Sequence, residues 1–302
     1  MKIALILNRD AGTLRGLDPQ KVSDEIADIF RTAGHHIDVE VAAGKDAVAA
    51  IERSCKGRNA DAVVVGGGDG TVSAAAAAAA ESGATLGILP LGTMNFFARS
   101  LSIPPDVKGA AEALAEAEIA EVDIARINGR WFVHSVALGL HPAMVAEREK
   151  MDYGSRYGKM LGSLRAFIRV VRNPRRFHVV IETDGKTVSR RTAGVVVSNN
   201  PLGEGHMPYA DRLDDGVLAI YVTTARGWAG LTRVTAAAAR GAAAEHPLVE
   251  MLETTTATIA TGSRSVPVTV DGELQLLRGP LELESVRGGL RVLKPRAADA
   301  KA

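Results

Sequence analysis

Six residues, Gly66-Gly67-Gly68-Asp69-Gly70-Thr71, carry the strongest chemical suggestion in the chain. They follow the apolar run Val63–Val65 and lead directly into an Ala-rich stretch, a pattern that predicts strand, loop and helix. Backbone N–H groups collect at such a junction and the helix dipole adds positive potential, so an anion could sit there. A sharp turn needs only one or two glycines. Three in succession plus Gly70 strip side chains from a whole segment and permit close approach of something bulky and anionic. The loop is not Walker A, because Gly-Lys-Ser/Thr is missing. Nor is it the dinucleotide fingerprint, because Thr71 stands where the last Gly or Ala would be.

If that anion were a nucleotide triphosphate and the chemistry phosphoryl transfer, its charge would need neutralising, normally by Mg²⁺, and a group would have to orient or deprotonate the attacking hydroxyl. Carboxylates are the candidates, and two acidic segments stand out: Asp214-Asp215-Gly216 and Asp271-Gly272-Glu273. Each also reads as an ordinary turn leading into a strand. The seven histidines are scattered without metal-ligand spacing. No Gly-x-Ser-x-Gly elbow is present.

The elements that must position these residues fall into two patterns. From Met1 to about Val122, strands alternate with helices: KIALIL, a helix near Pro19–Ala33, HIDVEV, a helix near Asp46–Ser54, DAVVVG, the Ala-rich helix, TLGILPLG, and a helix near Lys108–Glu116. Such alternation predicts an α/β parallel sheet covered on both faces. The loops Asn8–Thr13, Gly66–Thr71 and Leu91–Asn95 all follow strands and should share one edge. From Asp123 the punctuation changes to hairpin turns at Asn128-Gly129, Asp184-Gly185 and Asp271-Gly272, so this half reads as mainly antiparallel β. A helical insertion over about His141–Asn173 interrupts it, and a weaker helix covers Trp228–Ala244. The expected domains are therefore 1–122, 123–293 and a mobile tail at 294–302.

Composition sets outer limits. A chain of 302 residues accommodates two domains and a substantial core. Its formal net charge of +1 gives no overall field for nucleic-acid binding. Cys55 is the sole cysteine, so an intramolecular disulfide and a multi-thiolate zinc site are excluded. The expectation is a cytoplasmic protein whose first segment is a buried strand. No apolar run approaches the roughly 18–20 residues that span a bilayer.

Taken together, GGGDGT, the later LPLGTMNFFARSLSIP, the segment NNPLGEGHMPYADRLDDGVLAIYV and VPVTVDGELQ resemble the catalytic domain shared by diacylglycerol kinases, sphingosine kinases and related bacterial lipid kinases. The resemblance implies an ATP-dependent lipid kinase with an α/β nucleotide domain, a β-rich lipid domain and an active site in the cleft. By its alignment Gly66, Gly67, Gly68, Asp69, Gly70 and Thr71 form the nucleotide loop, Thr93 and Asn95 a second phosphate-side segment, and Asn8 and Gly12 the first loop. Glu273 matches the proton acceptor, with Asp69 and Asp271 in the catalytic set. Asp215 matches the metal-binding acid, accompanied by the carbonyls of Arg212 and Val217, and Asp123 joins Asp69 in a water-linked network to a Mg²⁺ ion. Arg9, Ala11, Ala42 and Phe96 depart from the family pattern. Other readings are a soluble-substrate kinase of the NAD-kinase or phosphofructokinase type, and a non-catalytic nucleotide- or lipid-binding protein.

The insertion is locally basic, with nine Lys/Arg against three acids between His141 and Arg176. Arg165, Arg169 and Arg172 fall on one helical face beside an apolar stripe of Leu161, Leu164, Ile168 and Val171. This is either a solvated face on a packed helix or a contact with an anionic membrane surface, where a lipid kinase would meet its substrate.

Overall fold

The computed structural model describes residues 1–57, 59–149, 169–172 and 174–296. The chain forms two compact units, one comprising Met1–Ile124 and Val286–Ala302, the other Ala125–Ser285.

The first unit begins with β1 (Lys2–Asn8), α1 (Pro19–Thr32), β2 (His36–Ala42), α2 (Gly44–Gly57), β3 (Ala62–Gly67), α3 (Asp69–Ser82), β4 (Thr85–Pro90), α4 (Phe96–Ser100) and α5 (Val107–Ala115). The four strands stand in the order β2-β1-β3-β4, and each neighbouring pair is parallel. β3 and β4 are buried at every residue. They accordingly read as unbroken apolar runs, as strands covered on both faces do. Asp18 caps α1 by accepting from the Gln20 amide at 3.0 Å, with Pro19 at the first helical position. The alanines Ala75, Ala76, Ala78 and Ala79 give α3 a buried face of small side chains, and it packs on α2 as well as on β3 and β4. The helix stops at Gly83, whose φ of 72° only glycine adopts at little cost. Cys55 is buried on α2, where burial and then the Glu52 charge push its thiol up to about 11, so it is a packing residue rather than a nucleophile.

The remaining elements are β5 (Glu118–Ile127), β6 (Arg130–Phe132), β7 (Ser135–Gly139), α6 (Leu140–Glu149), β8 (Phe177–Thr183), β9 (Lys186–Thr192), β10 (Gly194–Asn199), β11 (Leu218–Thr223), α7 (Trp228–Ala239), β12 (Val249–Thr254), β13 (Thr256–Ala260), β14 (Ser265–Val270), β15 (Glu273–Arg278) and β16 (Leu281–Lys294). In the second unit, six strands ordered β12-β11-β10-β7-β14-β15 form an antiparallel sheet. Val136, Leu138, Val195, Val197, Ile220 and Val268 of this sheet pack with Val179, Ile181, Ile259, Leu281 and Leu283 of β8, β13 and β16 into one core. That is a β-sandwich.

The three sequence-marked hairpins all form. Asn128 (φ 48°) with Gly129 (φ 78°), and Asp271 (φ 47°) with Gly272 (φ 87°), make two-residue turns with both central residues left-handed, the geometry that matches strand twist. Between Thr183 and Lys186 only Gly185 is left-handed.

The domain limits read from the sequence need correcting. The units part at Ile124/Ala125, and the last strand returns to the first unit from Val286 onward. β16 pairs with β13 through Glu284, whereas Arg291 and Val292 pair in parallel with Thr85 and Leu86 of β4. Val292 and Leu293 are fully buried there. Pro295 is also buried, so the expected tail starts too early; residues 297–302 lie outside the described residues. The helix expected over Trp228–Ala244 ends at Ala239, and Gly241 follows in a left-handed conformation. Of the helical insertion, α6 and a helical turn at 169–172 are described. Arg165, Leu161, Leu164 and Ile168 lie outside the described residues. Among the described residues no helix is long and apolar enough to cross a membrane.

One turn carries a pH dependence. The Asp184 carboxylate accepts hydrogen bonds from the hydroxyls of Thr255 (2.6 Å), Thr256 (2.7 Å) and Thr254 (3.3 Å), tying the β8–β9 turn to the β12–β13 connection. Those bonds, Thr255 first, hold its carboxyl at about 2 instead of 3.8. Because the folded value is the lower one, the stabilisation is fully present above 3.8 and fades as pH falls toward 2. Denaturant midpoints of Asp184→Asn are therefore expected to fall less than those of the parent across that window. Parallel slopes would remove Asp184 from the acid response.

Candidate functional site

The three loops expected at one sheet edge are joined there by hydrogen bonds. Asn8 at the end of β1 donates from Nδ2 to the Thr71 hydroxyl at 3.0 Å, and its Oδ1 accepts from the Asp10 amide. The Thr13 amide, next to Gly12, donates to the Leu91 carbonyl at 3.0 Å. Asp69 bridges the other two loops: its carboxylate accepts from the amides of Asn95 (3.1 Å) and Phe96 (3.0 Å) at the start of α4. Asn95 itself sits at φ 51° and folds its own loop, accepting from the Gly92 amide and donating to the Gly92 carbonyl. Thr93 is exposed at the tip of that loop.

The glycines divide into two kinds. A Cβ on Gly66 would fall 2.3 Å from Leu7 Cδ2 and 2.8 Å from Leu91 Cδ1, and one on Gly67 would fall 2.5 Å from Thr71 Cβ. Both positions are buried inside β3, so packing alone requires glycine there. A Cβ on Gly92 would meet Gly68 Cα at 2.7 Å, because the two loops pass that close. Gly68 is the N-cap of α3 and offers no side chain to its first amides. The N–H groups of the first turn, Asp69, Gly70 and Thr71, therefore form an uncapped helix start of the kind that accepts phosphate. Thus only the second half of the glycine run lies at the helix start, where an anion could be received.

The departures from the family pattern have local explanations. The Arg9 amide donates to the Ala42 carbonyl at 2.9 Å, continuing the β1–β2 ladder, so both positions act through backbone. Phe96 likewise contributes its amide to Asp69. Asp123 is buried, and its Oδ1 accepts from the Gly288 amide at 2.9 Å, tying β5 to the returning part of β16.

In the second unit Asp271 and Glu273 share the β14–β15 turn but face different surroundings. Asp271 is buried, and its carboxylate accepts from the amides of Val133 (3.0 Å), His134 (2.9 Å) and Ser135 (3.1 Å), while its own amide donates to the Ser135 carbonyl. This clamp fixes the turn to the start of β7. Glu273 is the first residue of β15 and pairs with Val270 through the backbone, while its exposed carboxylate has no hydrogen bond or ion pair with a described residue. The arrangement suits a carboxylate that must be free to take a proton, held by a neighbour that is not.

Asp215 is partly buried; its amide donates to Asn200 Oδ1 at 3.1 Å, and its carboxylate pairs with Arg212 at 3.2 Å. The Val217 carbonyl accepts from the Asn200 amide and keeps one lone pair. One carboxylate and two carbonyls are hard oxygen donors, which fit a Mg²⁺ ion that retains most of its water. No cluster of three or more His, Cys, Asp or Glu suited to a metal occurs among the described residues. Asn200 (φ 69°, fully buried) was not singled out in the sequence. The doubled Asn before Pro201 was its available signal, since Asn tolerates the left-handed region and turns commonly begin there.

The chain thus joins an α/β unit, with an uncapped helix start beside paired loops, to a β-sandwich that carries an exposed carboxylate at Glu273. The diacylglycerol kinase catalytic domain matches residues 2–127. The YegS C-terminal NAD kinase beta sandwich-like domain matches residues 143–294, half of the chain. The chain belongs to the lipid-kinase family that combines these two domains. Among curated proteins, "Putative lipid kinase SAS0691" of Staphylococcus aureus (strain MSSA476) and "Putative lipid kinase MW0688" of strain MW2 are each 32% identical over 141 residues. That segment is 45% of this chain and 45% of each relative, so just under half of the relatives' length is spanned. Two solved structures from Bacillus anthracis str. Sterne share the fold. One, described as "a putative diacylglycerol kinase", has a TM-score of 0.77 at 24% identity, covering 98% of both chains. The other, titled as a diacylglycerol kinase, has a TM-score of 0.75 at 21% identity, covering 98% of this chain and 97% of its own.

Proposed function

We propose that the protein transfers the γ-phosphate of ATP to a hydroxyl of a lipid, such as diacylglycerol or a sphingoid-type lipid. The observation that carries this reading is the contrast at Asp271-Gly272-Glu273. There a turn clamped by three amides presents one unencumbered carboxylate, in a chain whose first unit has an uncapped helix start at Gly68–Thr71. In this reading the amides of Asp69, Gly70 and Thr71 bind phosphate oxygens, and Asp69 holds the Asn95 loop against them. Glu273 accepts the proton of the attacking hydroxyl, which becomes the nucleophile at phosphorus as the bond to the ADP oxygen breaks. Asp215, with the carbonyls of Arg212 and Val217, would hold a Mg²⁺ ion, which supplies neutralisation of phosphate charge when bound. The Arg212 guanidinium pairs with Asp215 Oδ1 and leaves Oδ2 for the ion.

The lipid would be reached at an anionic membrane surface. Arg169 and Arg172 are exposed, although Arg169 is paired with Glu147 at 2.9 Å and so offers less free charge. A soluble acceptor is the competing reading, favoured by the NAD-kinase-like description of the second domain. Incubation with γ-labelled ATP, Mg²⁺ and a panel of diacylglycerol, sphingoid base and NAD separates the two. Label is expected in the organic phase; label confined to NAD, or to no acceptor, would overturn the proposal.

A further inference from the structure

Outside the residues assigned above, α7 presents a face that no described residue covers. At 100° per residue, Trp228, Ala229, Thr232, Arg233, Ala236 and Arg240 fall within about 140° of arc. All but Ala236 are exposed, and Trp228 keeps 64% of its surface in water. The opposite face carries Leu231 and Val234, which pack with Leu140, Val171, Ala193, Ala225 and Leu248. The helix is therefore already anchored to the sandwich, and the indole is not needed for the core. A tryptophan left this exposed loses apolar stabilisation that an interface would recover.

The two charges on this face, Arg233 and Arg240, are both positive, and Arg226 stands in the turn just before the helix. From Thr224 to Leu248 the charged residues are Arg226, Arg233, Arg240 and Glu245, and none of the three arginines forms an ion pair among the described residues. The alanines leave a shallow cavity of about 470 Å³ between the indole and the arginine stems, lined also by Thr232 and His246. Guanidinium groups recognise phosphodiester oxygens through paired donors while their stems lie along apolar surface. An indole at the same level matches the headgroup region, where an apolar body and a polar N–H are both accommodated.

We propose that this face of α7 docks on an anionic phospholipid bilayer, with Trp228 entering the headgroup layer and Arg226, Arg233 and Arg240 meeting lipid phosphates. It is a surface separate from Arg169 and Arg172, and its test does not depend on catalysis. The chain has two tryptophans. Trp131 is held under the Arg126 guanidinium, whose Cζ lies 3.8 Å from the ring centroid, so Trp131→Phe leaves Trp228 as the reporter. With vesicles of equal parts phosphatidylcholine and phosphatidylglycerol, its emission should shift to shorter wavelength and be quenched by lipids labelled near the headgroup. Pure phosphatidylcholine should give neither change.

In co-sedimentation of the full chain, replacing the three arginines with Gln should weaken binding by roughly a hundredfold, since each basic residue near such a surface contributes about fivefold. Trp228→Ser should weaken binding to the anionic vesicles as well, because the indole no longer enters the headgroup layer. Unchanged emission on anionic vesicles would overturn the proposal. So would binding lost only when Arg169 and Arg172 are replaced. An emission shift that follows protein concentration without vesicles, with a dimer by light scattering, would overturn it in favour of a second copy of the chain.

Discussion

Replacing Glu273 with Gln is expected to lower the rate of lipid phosphorylation by roughly 10²–10⁴-fold, the usual contribution of a positioned general base. The amide keeps the shape of the side chain and cannot accept a proton. Glu273 is exposed at the start of β15 and its carboxylate bonds no described residue, so the substitution leaves no buried group unsatisfied. Stability should stay within about 0.5 kcal/mol of the parent, as for surface changes away from packed features. ATP binding, which this reading assigns to the first unit, should also persist. Single-turnover transfer of labelled phosphate, run beside a nucleotide-binding titration and a denaturant melt, reads all three. Near-normal turnover would remove Glu273 from the proton-accepting role, and a large loss of stability would show that the side chain has a structural partner.

Asp271, two residues earlier, should behave in the opposite way. Asp271→Ala is expected to destabilise the protein by about 3–5 kcal/mol, because buried donors left without acceptors cost roughly 1–3 kcal/mol each. The amides of Val133, His134 and Ser135 would all lose their carboxylate. Backbone strain adds to this, since φ is 47° at Asp271 and a left-handed alanine costs roughly 1–2 kcal/mol. Asp271→Gly isolates the acceptor loss by relieving that strain, and Asp271→Asn keeps one acceptor oxygen and a tolerated conformation. The expected order of denaturant midpoints is parent, Asn, Gly, Ala. An alanine variant as stable as the parent would mean that the clamp contributes nothing. The pair of experiments distinguishes two carboxylates that look equivalent in the sequence.

Their separation shows what kind of information each level holds. Strand and helix periods, together with hairpin dipeptides, were legible locally because each depends on a handful of neighbouring residues. β1 to β4, α1 to α3 and α5 appear where alternation predicts them, whereas the short α4 was not foreseen, and Asn128-Gly129 and Asp271-Gly272 make left-handed two-residue turns. The glycine run was legible as a strand-to-helix junction, which the structure has between β3 and α3, yet the packing that requires glycine at Gly66 was not. Leu7 of β1 and Leu91, in the loop just after β4, exclude a side chain at Gly66 and come from remote segments. The domain limits failed for a similar reason. β16 is continuous in sequence, but its ends pair with different partners, β13 and β4.

By itself the sequence determined the succession of elements, the two-unit plan, the family, and the short list of residues able to handle phosphate and protons. Tertiary structure decided the division of labour among them. Burial and three converging amides make Asp271 a clamp, and exposure leaves Glu273 free. Two α4 amides make Asp69 the link between loops, and the packing of Leu231 and Val234 turns Trp228 outward. Each of those outcomes depends on which atoms from remote segments arrive at a given side chain, and a local pattern does not contain that.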